Sequence, residues 1–177
     1  MSIPPRTGVP RSNDRFRTFV ETASQKAKEL DTGHDPLIAQ LSLVARKMGQ
    51  LMQDDAERRV HKPAGWAHSS FRICFALWTM GPLPPHRIAA VTNMSRASIS
   101  AALKKILDDG LVTKEPSVED QRSLLLQLTP KGETLTRETY EAHLDLEAEW
   151  FGSLTEAERM VMLMLMQKLL ENRPGRD

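Results

Sequence analysis

The sequence predicts a mainly α-helical chain carrying one small β-hairpin, and three observations lead there. Apolar residues recur at i, i+3, i+4 and i+7 over most of the length. Only two short stretches, Leu111 to Glu115 and Ser123 to Leu128, have strand character. The 177 residues are 40% hydrophobic and 27% charged, too apolar for wholesale disorder and ordinary for one globular domain with an appendage. The longest apolar run, Met160 to Met166, falls well short of the ~20 residues that span a bilayer, and the first residues hold no secretory apolar segment. A cytoplasmic protein without a membrane partner is expected. The single cysteine, Cys74, leaves no intrachain disulfide or cysteine-rich zinc site.

Residues 1–13 contain Pro4, Pro5, Gly8 and Pro10 with little to bury, and read as a flexible basic arm. Over residues 1–17, Arg6, Arg11, Arg15 and Arg17 stand against Asp14 alone, whereas Glu133 to Glu158 sets eight acids against Arg137. One end would attract a polyanion and the other repel it. From Asp14, a stripe of Phe16, Phe19, Val20, Ala23, Ala27 and Leu30 predicts a helix over 14–31, stopped at Gly33. A second helix starts at Asp35 and Pro36, where the carboxylate accepts from orphan amides and proline forfeits no needed hydrogen bond. Its stripe, Leu37, Leu41, Val44, Met48 and Leu51, has the 4-3-4-3 spacing that packs along a partner helix. Gln53 to Lys62 reads as a polar connection and Pro63 to Gly65 as a turn. An apolar helix then runs from His68 to Met80, ended by Gly81 and Pro82.

Next come a short helix from Pro84 to Val91, a turn at Thr92 to Met94, and a helix from Ser95 to Asp108 with Gly110 as its left-handed stop. Together these predict a helix-turn-helix. Ile88 and Ala89 supply the first helix's buried face, Asn93 tolerates a left-handed turn, and Met94, Ile99, Leu103 and Ile106 anchor the second helix inward. Ser95, Arg96, Ala97, Ser100, Ala101 and Lys104 are left pointing outward. This face is small, polar and basic at both ends, suited to close approach to base edges in a major groove. The hairpin that follows reads as a wing: Arg122 at its tip is placed to enter a minor groove, Lys114 to meet phosphate, and Asp120 to brace Arg122. Thr129 and Pro130 open a long acidic helix. Thr155 and Glu158 form a capping box before a last helix that is apolar on every side over 160–166, a segment that needs a second chain to enclose it.

The run SRASISAALKKILDDGLV, followed by EDQRSLLLQLTPKG, resembles the winged helix of the MarR family of ligand-responsive bacterial transcription regulators. The recurring family pattern Asp-x-Arg, then Leu-Thr-x-x-Gly, stands here as Asp120 and Arg122, then Leu128, Thr129 and Gly132, with matching order and spacing over residues 35–170. The resemblance implies a homodimer with interlocked terminal helices, two winged helices reading a pseudo-palindromic double-stranded DNA operator, and a small-molecule effector pocket between winged helix and dimer lobe. On that plan residues 14–31 are an extra N-terminal helix, 35–81 dimerisation and pocket helices, 82–130 the DNA-binding region, and 131–172 C-terminal dimerisation helices. Ala101 departs from the larger polar or basic residue many members carry there, which leaves the operator sequence open.

Four of the nine aromatic residues, Trp66, Phe71, Phe75 and Trp78, fall within residues 66–78. Core packing is the plain reading. Arg72 on the same helix is awkward for a core, so Trp66, His68, Phe71, Arg72 and Phe75 are the candidates for lining a cavity that takes a flat anionic aromatic effector. Cys74, without a basic neighbour, reads as structural. Five histidines show no close ligand pair along the chain, so neither a metal nor a cofactor is expected. Two other readings stand beside the regulator. A small hydrolytic enzyme would need a nucleophile elbow or a metal-ligand pair, and a winged helix used only for protein contacts would need a neutral face where Arg96, Lys104 and Lys105 lie.

Overall fold

Asp35 accepts a hydrogen bond from the amide of Leu37 through Oδ1 at 2.9 Å, and helix α2 (Pro36–Ala56) begins there, as its first two residues dictate. The computed structural model describes residues 12–116 and 124–174, so the arm arginines Arg6 and Arg11 and the wing-tip residues Asp120 and Arg122 lie outside the described residues. Two compact units are present, Met1–Gln53 and Asp54–Asp177. In the first, α1 (Ser12–Glu29) turns back into α2 through Asp31 and Gly33, both at positive φ. A polar staple joins the two helices: the buried Ser24 hydroxyl donates to the Pro36 carbonyl at 3.3 Å and accepts from Gln40 Nε2 at 2.9 Å. The predicted stripe is helical, yet Leu37, Leu41 and Val44 remain about half exposed.

In the second unit the sequence reading needs a correction. Gln53 to Lys62 is not a loose connection: α2 continues to Ala56 and widens into a π-turn, Glu57–His61, closed by Lys62 N to Glu57 O at 3.0 Å. The extra residue in the turn breaks the 3.6-residue phase and carries Val60 and His61 inward. Then follow α3 (His68–Met80), α4 (Pro85–Thr92), α5 (Arg96–Asp108), the antiparallel strands β1 (Val112–Pro116) and β2 (Leu124–Leu128), α6 (Pro130–Phe151) and α7 (Glu156–Glu171). Mainly helical with one hairpin is therefore the observed class.

One core holds the winged-helix elements together. Ile73 of α3, Ile88 of α4, Ile106 of α5 and Leu126 of β2 are wholly buried, each contributing roughly 1.5–3 kcal/mol. Register places Val112 opposite Leu128 and Lys114 opposite Leu126, while Leu83 pairs its amide and carbonyl with those of Leu126 as a one-residue third strand. The alternation Leu124, Leu126, Leu128 buries only its middle member fully. Leu124 is half exposed at the far end of the hairpin, beyond the core.

The Leu-Thr-x-x-Gly motif has a mechanical explanation. Thr129 Oγ1 accepts from the Gly132 amide at 3.0 Å, capping α6, and donates to the Gly110 carbonyl at 2.8 Å. Its own amide bonds the Leu111 carbonyl at 3.0 Å. A Cβ on Gly132 would overlap that same Leu111 oxygen, so only glycine lets α6 lie against the exit of α5. At the other end, Thr155 and Glu158 make the predicted capping box. The helix it opens buries none of its residues within the chain; Met160, Val161, Leu163, Met164 and Leu165 are half or more exposed. No described helix is long and apolar enough to cross a membrane.

Candidate nucleic-acid interface and effector cavity

The turn before α5 is made by residues that leave little choice. Asn93 adopts φ 50° and ψ 34° at the end of α4, and Ser95 then caps α5 by accepting from the Ser98 amide at 3.1 Å. Ile99, Leu103 and Ile106 of α5, with Met94 from the turn, are buried against the core. Ser95, Arg96, Ala97, Ser100, Ala101 and Lys104 are all exposed on the opposite side, brought together as one face. Lys105 beside them is paired with Asp109 at 3.1 Å, leaving Arg96 and Lys104 as the cations of the face itself. Arg96, Ile99 and Ser100 also line a groove with Pro85, His86 and Ala89, where the start of α4 meets α5. Lys114 is exposed on β1.

The five candidate effector residues divide. Trp66, Phe71 and Phe75 form a chain of ring contacts, with centroids 5.8 and 5.5 Å apart. Trp66 and Phe71 are buried in the core, Trp66 donating through Nε1 to Thr139 of α6 at 3.2 Å. Arg72 and Phe75 line a cavity of about 240 Å³ between α3 and α4, together with Ala76, Thr79, Met80, Val91 and Thr92. His68 lies elsewhere. Its Nδ1 is 2.8 Å from Nε2 of His61, which is in turn 3.2 Å from Nε2 of His143 on α6.

Sequence reasoning did not find this histidine cluster, because its members are separated by 7 and 82 positions and nothing in a periodic pattern links them. Burial pushes His61 down to about 4, helped by the neighbouring His68 and His143 rings. His68 is lowered by burial and Arg72 and His143, with Glu57 opposing; His143 is lowered by burial with Glu147 opposing. Among the described residues no group of three or more histidine, cysteine or acidic residues is arranged to hold a metal ion. Cys74 is wholly buried, and burial pushes its thiol up to about 12, with a hydrogen bond from Thr136 acting the other way.

A left-handed turn between two short helices, a second helix with one buried and one small basic face, and a hairpin directly after it define the class: a winged helix-turn-helix protein. Residues 66–124, from just before α3 to the first residue of β2, match the model of the MarR family. The chain is 22% identical over 159 residues to the HTH-type transcriptional repressor YetL of Bacillus subtilis, covering 89% of this chain and 92% of that one. Among solved structures it is similar to a mutant MarR from E. coli complexed with operator DNA, with TM-score 0.67, 19% identity, and 73% and 93% of the two chains covered. It is also similar to the PcaV transcriptional regulator of Streptomyces coelicolor in complex with its natural ligand, with TM-score 0.65, 18% identity, and 74% and 92% covered.

Proposed function

We propose that this chain is a sequence-specific double-stranded DNA-binding transcription regulator, most simply a repressor, that works as a homodimer and answers to a small effector. The exposed face of α5 carries the reading: small side chains let the helix seat deeply, and Arg96 and Lys104 stand at either end. A wing contact by Lys114 and Arg122, with Asp120 bracing the arginine, completes the proposed interface. A second copy supplies the cover for the exposed apolar length of α7, and two recognition helices ~34–36 Å apart would enter successive major grooves of a pseudo-palindrome. The relatives named above support the class of activity.

For the effector, the cavity at Arg72 and Phe75 is the favoured seat. At about 240 Å³ it is below the usual ~300–1,000 Å³ range, which points to a small anionic monocyclic aromatic acid rather than a larger drug-like molecule. Trp66 and Phe71 belong to the core beside the site and His68 to the histidine cluster, so none of the three lines it. An effector that fits only one separation of the two winged helices shifts DNA affinity by its differential affinity for the two states.

The test is a mobility shift with the duplex upstream of the protein's own gene. Wild type is expected to retard it and Arg96→Ala with Lys104→Ala to lose roughly tenfold or more in affinity, with a shallower salt dependence. An unchanged affinity and slope in the double variant would remove α5 from the DNA. Salicylate or benzoate, as trial effectors, should raise the melting temperature of wild type and not of Arg72→Ala.

A further inference from the structure

His61, His68 and His143 meet where three elements converge: the π-turn, the first residue of α3 and the middle of α6. The cluster is underserved in hydrogen bonds. Nε2 of His61 lies within reach of both other rings, yet a ring nitrogen has one in-plane direction to offer. Nδ1 of the same ring is buried without any partner among the described residues. Either tautomer of neutral His61 therefore leaves a buried donor or acceptor unmet, a cost the fold carries at this seam.

We propose that these three histidines are a proton-binding site, taking a proton from solvent and thereby loosening α6 from the π-turn and α3. His143 is the ring best placed to receive it. It stacks on the face of Phe71 with centroids 4.8 Å apart, which gives an imidazolium some cation–π return, and Glu147 of α6 acts on it. His68 faces Glu57 of the π-turn but also Arg72 of α3. The protonated His143 donates to His61 Nε2, which then cannot serve His68. A positive charge now sits at a buried junction whose rings are 4.8 Å apart, and a second proton is repelled. The seam is also held by the exposed Arg59–Glu149 pair, by Ala56, Val60, Leu146 and Trp150, by the Trp66–Thr139 hydrogen bond and by Phe75 against Tyr140.

The consequence follows from what α6 joins. Its first turn is tied to the exit of α5 through Thr129 and Gly132, and its far end leads to α7. Freeing its middle alters how the wing and recognition helix are carried. Native histidines lowered from 6.5 bind protons less readily than unfolded ones, so stability is complete above about pH 7 and falls as pH drops toward 4.

Three measurements on the full chain test this, and only the last rests on the DNA-binding reading. Imidazole resonances of wild type should show His61, His68 and His143 titrating together and below the ordinary range. Melting temperature should fall from pH 7 to pH 5 in wild type, and the fall should shrink in His143→Phe, which keeps a ring against Phe71, and in the milder His68→Gln. Affinity for the duplex upstream of the protein's own gene should drop roughly tenfold between pH 7.5 and 5.5 in wild type and less than twofold in either variant. Independent titration of the three rings near 6.5, or an undiminished acid step in both variants, overturns the proposal. So does a shift of all three resonances by equimolar Zn²⁺ at pH 7.5, which would make the cluster a metal ligand set. A chain that fails to bind the duplex at every pH while the first two measurements behave as expected overturns the DNA reading and leaves the proton site standing.

Discussion

Helices α5 and α7 are similar in length and opposite in circumstance. The first is the less apolar of the two, yet Ile99, Ala102, Leu103 and Ile106 all find cover, and its exposed face is small, polar and basic. The second is richly apolar and buries nothing within its own chain. A helix is placed by the order of its apolar residues, not their number: α5 presents one stripe to one core, whereas α7 offers apolar side chains all round and leaves most of them exposed. The winged helix thus stands on its own packing, and the apolar length of the terminal helix has no buried residue.

That contrast can be broken at either end. The largest effect on a single chain is expected from Ile106→Ala, which empties a wholly buried site shared by α3, α4, α5 and β2; a loss of ~2–5 kcal/mol should appear in urea unfolding with little change in slope. A loss under ~1 kcal/mol would mean the core can collapse around the gap. Removing the α7 cap with Thr155→Ala should cost about 1 kcal/mol or less, seen as reduced helicity and a lower melting temperature. Smallest for the fold itself is Val161→Glu with Leu165→Glu: exposed in one chain, these changes should move its intrinsic stability by roughly ±0.5 kcal/mol per site. If a second copy covers α7, the same pair should halve the mass measured by light scattering. An unchanged mass would show that no twin uses this helix.

Much of the plan was legible because punctuation and periodicity agreed. Helix α3 runs from His68 to Met80 as read, its end marked by Gly81 at φ 79° ahead of Pro82, and Asn93 occupies the left-handed turn for which its side chain suits it. The stretch after Gln53 departs from the loose connection its polarity suggests for a physical reason: polar residues hide a helix whose outer face is solvated, and the π-turn then breaks the spacing that would reveal Val60 and His61 as buried. The outward face of α5 followed from rotation alone. The division of Trp66, Phe71 and Phe75 into core and cavity wall did not, since it depends on Thr139 and Tyr140 of α6, far along the chain. Contacts at that separation leave no trace in a local pattern.

Cys74, wholly enclosed and with a thiol held near 12, gives the molecule a clock of its own. An alkylating reagent meets no thiolate while the helix around it is closed, so each captured sulfur records one excursion of the core into water. The rate of capture, followed by mass, therefore times how often this interior opens.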